Sequence, residues 1–152
     1  MSTAQRATAQ SGSLPNSDPL QRLLDLAGIG PDQSVAIAGA NALDMMLALC
    51  RAGQQRVECA RQASRSKADG RADLLILSGP PDDLGELTAR TACLLGEGGR
   101  IAVALRRIED DQPIRAALAA HSLTIATTIV DLAYGLTVIH RISRPQRVAR
   151  TG

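Results

Sequence analysis

The chain has 152 residues and a formal net charge of +2, and it contains no tryptophan, no phenylalanine and one tyrosine. A hydrophobic share of 45% is enough to bury the core of one domain. The lack of aromatic rings excludes the base-stacking surfaces of single-strand nucleic-acid binding, and the small net charge gives no support to nucleic acid as a partner.

The three cysteines, Cys50, Cys59 and Cys93, are far apart in the chain and each lies in an apolar run. Their spacing is not that of a zinc site, and an odd count leaves no complete set of disulfides. We therefore predict buried, reduced thiols and no metal site. No apolar run reaches the ~20 residues of a membrane span, and we expect no secretory signal and a cytoplasmic location.

Composition divides the chain into a domain and two tails. Residues 1–17 are rich in Ser, Thr, Ala and Gln without an apolar period, which is typical of a disordered tail. We place the domain at 18–142. Residues 143–152 form a basic tail that is either a flexible solubilising end or a contact for an acidic partner or nucleic acid.

A first helix is predicted to start at Asp18-Pro19, because a carboxylate cap and a proline in the first turn favour helix initiation. Gly28 is predicted to end it. Its apolar stripe has helical spacing and consists of Leu20, Leu23, Leu24 and Ala27.

The stretch from Ser34 to Arg61 reads as one βαβ unit. A short apolar strand breaks at Gly39, a helix follows, Gly53 ends that helix, and a second strand runs over 56–60. The helix is predicted to bury a stripe at i, i+3, i+4 and i+7 that consists of Leu43, Met46, Leu47 and Cys50. The crossover should be right-handed, and ligands bind such units at the carboxyl end of the strand, beside the helix N-terminus. We therefore expect any small-molecule site near residues 39–44.

The next part of the chain predicts a second strand–helix–strand sequence. Residues 62–71 are polar and basic, so they form either a solvated loop or a phosphate-binding loop. A buried strand is predicted over 74–77, and Asp82 or Asp83 should cap the following helix. That helix should end at 97–99, before a strand over 101–105. Its stripe is predicted to consist of Leu84, Leu87, Thr91, Leu94 and Leu95.

The last third should contain one more helix and a hairpin. Asp110 or Asp111, with Pro113, is predicted to open the helix, with Ile114, Ala117, Leu118 and His121 on one side. Two β-rich segments, 123–130 and 136–142, meet around Tyr134-Gly135 with no helix between them, so they should pair antiparallel. The predicted fold is α/β: a three-layer, Rossmann-like, mostly parallel sheet with a C-terminal antiparallel hairpin.

This pattern resembles the class I S-adenosylmethionine-dependent methyltransferase fold from about Leu20 to Ile142. Val-Ala-Ile-Ala-Gly at 35–39 is similar to the first motif of the family. The segment at 87–103, a helix with leucines, then Gly-Gly-Arg, then a strand, is similar to a second family segment and is the more specific match. The resemblance implies a methyltransferase-like domain with strand order 2-1-4-5-7-6 in the numbering of the family, with strand 3 lost.

The resemblance also implies a site for S-adenosylmethionine. The positions that match the donor site are Gly39, Ala40, Asn41, Asp44 and Arg61, and Ser78 and Gly79 would line the acceptor side. Two positions depart from the family pattern. Only one glycine of the Gly-x-Gly-x-Gly loop is present, although Asn41 tolerates a positive φ. Arg61 stands where the family has a ribose-binding carboxylate, and an arginine cannot accept a hydrogen bond; it would suit a 2′-phosphate, as in an NADP-like ligand.

No residue is assigned a catalytic role. Ser78 to Asp82 lies where amino-group methyltransferases have Asp/Asn-Pro-Pro-aromatic, but a rigid strand-to-helix turn explains it better. His121 and His140 have no metal or catalytic pattern around them, and Tyr134 is expected to pack.

The strand over Arg56–Arg61 is predicted to be an exposed sheet edge. Its charges either protect that edge or mark where a protein partner or a second copy adds a strand. Two functions follow. The chain is a small methyltransferase-like protein with degraded cofactor motifs and weak or no activity, or it is a non-catalytic regulatory or interaction module on that fold.

Overall fold

The computed structural model describes residues 17–60 and 71–143. Arg61, nearly all of the two predicted tails and nearly all of the polar loop at 62–71 lie outside these ranges, while Ser17 and Ser143 belong to the first helix and the last strand. The strands are β1 (Ser34–Gly39), β2 (Arg56–Cys59), β3 (Ala72–Ser78), β4 (Leu95–Leu105), β5 (Thr124–Asp131) and β6 (Leu136–Ser143). The helices are α1 (Ser17–Ala27), α2 (Ala42–Arg51), α3 (Pro81–Thr91) and α4 (Gln112–Ala120), with short 3₁₀ turns at Ala92–Leu94 and Ile108–Asp111.

The strands form one sheet in the order β2-β1-β3-β4-β6-β5. β1 pairs in parallel with β2 and β3, and β3 pairs in parallel with β4. β6 pairs antiparallel with β4 and β5, so β5 and β6 form the predicted hairpin. The α/β fold class and the predicted strand order are confirmed. Among the described residues β2 is one edge of the sheet and β5 is the other.

Apolar side chains cover both faces of the central strands, as their unbroken hydrophobic sequences predict. Alternate residues point to opposite faces. The face under α1 and α2 includes Val35, Ile37, Leu74 and Ile76. The face under α3 and α4 includes Ala36, Ala38, Leu75 and Leu77. The result is the predicted three-layer arrangement.

Helix α2 turns a different face to the sheet from the one predicted. Leu49 is fully buried, whereas Leu43 and Leu47 are 54% and 45% exposed, and Cys50 is also exposed. The buried side consists of Ala42, Met45, Met46 and Leu49. This set has the same i, i+3, i+4, i+7 spacing as the predicted stripe, so periodicity alone could not choose between the two.

Strand β4 begins earlier than predicted. Helix α3 ends at Thr91, and Leu95 already belongs to β4, which continues through Gly98 and Gly99. The pairing with β3 shifts register between Ala72 and Leu74, and a Cβ on Gly99 would lie 3.2 Å from the carbonyl oxygen of Ala72. The glycines therefore permit an irregularity inside a strand and do not end a helix.

The predicted aspartate cap of α3 is also wrong. Pro80 is the N-cap of α3 and no side chain caps that helix; Asp82 and Asp83 lie in its first turn, where carboxylates favour the helix dipole. Asp111 is the N-cap residue of α4 and Pro113 lies in its first turn, as predicted, but the Asp111 carboxylate makes no capping hydrogen bond because it is engaged elsewhere.

Asp111 and His140 form a buried pair that ties the start of α4 to the hairpin. The His140 ring is fully buried, and its Nε2 lies 2.9 Å from both carboxylate oxygens of Asp111. Its Nδ1 lies 2.8 Å from the Thr128 hydroxyl, and Arg115 Nε donates to Asp111 at 2.8 Å. Burial alone would raise the pKa of Asp111, but the hydrogen bonds and charges of His140 and Arg115 outweigh it and leave that pKa lowered.

Several predicted packing positions are exposed. Cys50 and Cys93 are exposed and Cys59 is half-buried, so the prediction of buried thiols is wrong; none of the three forms a disulfide with another described residue. Tyr134 is 55% exposed in the hairpin turn, and His121 is exposed at the end of α4. Among the described helices, none is long and apolar enough to cross a membrane.

Candidate functional site

The carboxyl ends of β1, β3 and β4 meet at one edge of the sheet, the usual place for a ligand in an open parallel sheet. Gly39 at the end of β1 pairs with Ser78 at the end of β3. The Ala40 N–H donates to the Ser78 carbonyl oxygen at 2.9 Å. The turn after β1 is therefore bound to the turn after β3.

Gly39 is required by this close approach. Its φ is +103°, and a Cβ there would lie 1.8 Å from the Ser78 carbonyl oxygen. Asn41 then adopts φ 61° and ψ 16° in the left-handed region, as its side chain was predicted to allow. These two residues turn the chain from β1 directly into α2.

The N-terminus of α2 faces this edge without a side-chain cap. Asn41 makes no capping hydrogen bond with its side chain, and the Met45 N–H is bonded to the Asn41 carbonyl oxygen at 3.0 Å. Because the first N–H groups of a helix have no intrahelical partner, such an end favours an anionic group. Asp44 lies in the first turn and is exposed.

A cavity of about 660 Å³ opens on the α1 side of the β1–α2 turn. Its walls are mostly apolar and include Leu20, Leu23, Ile76 and Leu84. The turn residues Ala40, Asn41, Ser78 and Gly79 line it, and so do Arg106, Asp131 and Tyr134. A cavity of this size and lining suits a small, largely apolar molecule.

One of the residues that line this cavity, Asp131, forms an ion pair with α1. Arg22 of α1 donates to Asp131 at the end of β5 through two hydrogen bonds of 2.8 Å. The hydrogen bond to Arg22 holds the pKa of Asp131 below its usual range, and the same bond raises the pKa of Arg22. The pair holds α1 against the hairpin, over the cavity.

Two smaller cavities lie on the other side of the turn and share Gly39, Leu87 and Arg90. One, of about 360 Å³, is lined by Leu43 and by Cys59 and Ala60 at the end of β2. The other, of about 310 Å³, is lined by Asp83 and Glu86 of α3. The β1–α2 turn therefore separates a large apolar cavity from a more polar one.

Five of the predicted site residues lie together around the β1–α2 turn: Gly39, Ala40, Asn41, Ser78 and Gly79. Asp44 lines none of these three cavities. Arg61 lies outside the described residues.

Sequence reasoning missed the polar residues of α3. Asp83, Glu86 and Arg90 recur at i, i+3 and i+7, which places them on one helical face; that spacing was the available signal. Tyr134 was predicted to pack and instead lines the large cavity. Among the residues that the structure describes, no group of three or more His, Cys, Asp or Glu side chains could hold a metal ion.

Many solved structures with similar backbones are methyltransferases. A ribosomal protein L11 methylase from Lactobacillus delbrueckii subsp. bulgaricus has a TM-score of 0.59 and 17% identity, with 91% of this chain and 85% of that chain covered. The magnesium protoporphyrin IX methyltransferase from Synechocystis PCC 6803, solved with bound S-adenosylhomocysteine, has a TM-score of 0.52 and 14% identity, with 85% and 82% covered.

A SAM-dependent O-methyltransferase from Thermotoga maritima has a TM-score of 0.51 and 14% identity, with 91% of this chain and 68% of that chain covered. The chain has the class I S-adenosylmethionine-dependent methyltransferase fold. At these identities the likeness shows the fold alone. No family model and no curated protein sequence matches the chain.

Proposed function

We propose that this chain binds S-adenosylmethionine across the β1–α2 turn and transfers its methyl group to a small, mostly apolar acceptor. The observation that carries this proposal is the pair of cavities on opposite sides of Gly39–Asn41. The polar cavity beside α3 would take the adenosine, and the apolar cavity of about 660 Å³ would take the acceptor. The methyltransferase fold supports this division.

The residues present fit adenosine, but they would bind it through contacts that differ from those of the family pattern. Cys59 and Ala60, at the end of β2, offer no carboxylate for the ribose. Asp83 and Glu86 line the cavity on the α3 side, and carboxylates can accept hydrogen bonds from ribose hydroxyls or from the adenine amino group. The uncapped N-terminus of α2 suits the carboxylate of the donor.

The contribution of the chain to methyl transfer would be orientation. S-adenosylmethionine supplies a methyl group that is already activated on a sulfonium ion. The β1–α2 turn would fix the donor, and the apolar walls of the large cavity would hold the acceptor in line with it and exclude water. Asp131, a carboxylate in that cavity, is engaged by Arg22, so its proposed role is to hold α1 over the acceptor.

Calorimetric titration with S-adenosylhomocysteine tests the proposal. We expect a dissociation constant on the order of micromolar. Asp83→Asn and Glu86→Gln should each weaken binding about tenfold, because each removes a charged acceptor worth about 1.5 kcal/mol. Asp82→Asn is the matched control, since Asp82 lies in the same first turn but does not line the cavity. No heat at millimolar ligand would overturn the proposal.

A second candidate function is a non-catalytic interaction module on the same fold. It is favoured by the exposed apolar residues Leu43 and Leu47 of α2, because such side chains on a surface helix mark binding faces. A parallel titration with NADP⁺ covers the alternative of a 2′-phosphate ligand. A chain that binds neither nucleotide but associates with itself or with another protein would favour this second function.

A further inference from the structure

The described residues leave an apolar stripe on α2 exposed to solvent. Leu43 and Leu47 are 54% and 45% exposed, and Cys50 is exposed beside them. These three residues, at i, i+4 and i+7, are called the α2 stripe below. The opposite side of the helix is equally apolar and packs on the sheet. A helix that is apolar on both sides is typical of one buried on both sides.

The α2 stripe lies on the side of the helix above β2. Met46, next to the stripe, contacts β2 through its sulfur, which lies 3.7 Å from the Cys59 sulfur. Leu43 lines a cavity together with Cys59 and Ala60. Because β2 is an edge of the sheet among the described residues, the stripe points outward over that edge.

The charges of β2 are arranged for pairing with an identical strand. Arg56 and Glu58 are two residues apart and therefore share one face, while Val57 packs on the other face toward α2. In an antiparallel pair about a two-fold axis through Val57, each Arg56 lies opposite Glu58 of the second copy. Both charge pairs are then favourable. A carboxylate accepts several donors, so these pairs add to the contacts that Glu58 makes within its own chain.

We propose that the chain forms a two-fold dimer in which β2 pairs antiparallel with β2 of a second copy and the two α2 stripes pack together. The spacing supports this assembly. Helix α2 packs over β1 and β2, and neighbouring strands lie about 4.8 Å apart. Two α2 helices related across the β2 edge are therefore about 10 Å apart, a normal distance for packed helices. This interface is independent of the proposed methyl transfer.

Charge-swap variants test the pairing, with sedimentation and light scattering over a range of concentrations as the measurement. Arg56→Glu and Glu58→Arg should each weaken the dimer at least about tenfold, because each places like charges opposite one another twice. Mixing the two variants should restore association, since the pairs are again complementary. A wild-type chain that stays monomeric at all concentrations would overturn the proposal, as would a mixture that fails to associate.

A helix variant tests the stripe independently of the strand. Leu47→Glu should dissociate the dimer, and Leu47 is chosen because Leu43 also lines the cavity next to the proposed nucleoside site. Val130→Glu is the matched control: Val130 is 52% exposed on β5, at the opposite edge of the sheet, and should leave the dimer intact. Circular dichroism confirms that each variant folds. A dimer that Val130→Glu dissociates and Leu47→Glu does not would place the interface at β5 and refute the proposal.

Discussion

Gly39 combines a positive φ with a close contact, and these two constraints can be separated by experiment. Gly39 and Gly53 have nearly the same φ, +103° and +101°, but only Gly39 has a neighbour in the way, since nothing lies within 4 Å of a Cβ on Gly53. We expect Gly53→Ala to cost about 1 kcal/mol for strained backbone. Gly39→Ala should cost about 3 kcal/mol or more, because the Ser78 carbonyl must move.

Urea denaturation of both variants measures this difference. Equal losses of unfolding free energy would show that the turns after β1 and β3 separate easily. The contact between Gly39 and Ser78 would then not determine the shape of the candidate site.

The buried carboxylate of Asp111 predicts that the unfolding free energy depends on pH. Because its pKa is lowered in the folded state, its pairing stabilises the fold above the ordinary aspartate value of about 3.9, and the stabilisation is lost as pH falls through the folded pKa. Asp111→Asn should therefore cost about 2–3 kcal/mol at neutral pH. The difference from wild type should shrink as the solution is acidified.

Unfolding free energies of the wild type and of Asp111→Asn, measured across the acid range, check this sign. Glu109→Gln is the control, because Glu109 is an exposed carboxylate in the same 3₁₀ turn. A constant difference at all pH values would mean that the lost contacts, and not the charge, account for the effect.

At the level of helices and strands, the sequence predicted the presence of each element more accurately than its orientation or its ends. The strands β1 and β3 were found because continuous apolar runs bounded by glycine or proline are typical of buried parallel strands. The orientation of α2 was missed because both of its sides match the helical template. The start of β4 was missed because Gly98 and Gly99 read as a helix stop, and only the partner strand shows that they lie inside a ladder.

The attachment of α1 to the hairpin can be tested by experiment. Among the described residues, the pair Arg22–Asp131 is the ion pair that joins α1 to the hairpin. Arg22→Ala should speed amide hydrogen exchange in α1 and leave exchange in β3 and β4 unchanged, because those strands are in the core.

Mass spectrometry of exchanged peptides measures this effect. Gln21→Ala is the control, since Gln21 is exposed and its hydrogen bond among the described residues stays within the helix, to Asp25 at 3.0 Å. If both variants exchange alike, the Arg22–Asp131 pair does not hold α1 over the cavity.

For the molecule as a whole, topology was predictable and the lining of the site was only partly so. Strand order follows from the succession of elements and from right-handed crossovers, and the hairpin follows from two adjacent β segments. The residues that line a cavity come from elements far apart in the chain. Asp83, Glu86 and Tyr134 reach the β1–α2 turn through tertiary packing. The helical spacing of Asp83 and Glu86 indicates that they share a face but not which cavity that face lines.

The composition of the whole chain makes ligand binding in the large cavity measurable by the fluorescence of the wild-type protein. Tyr134 is the one tyrosine, there is no tryptophan, and Tyr134 lines the cavity. Tyrosine emission thus comes from one side chain, at the wall of that cavity. We expect 2-naphthoate, which has apolar rings and a carboxylate that Arg106 at the cavity can pair with, to quench this emission saturably by energy transfer. Tyr134→Leu should lose the signal but keep the binding heat in calorimetry. Saturable heat from the wild type without any loss of emission would place the compound elsewhere and remove the support for an apolar acceptor site.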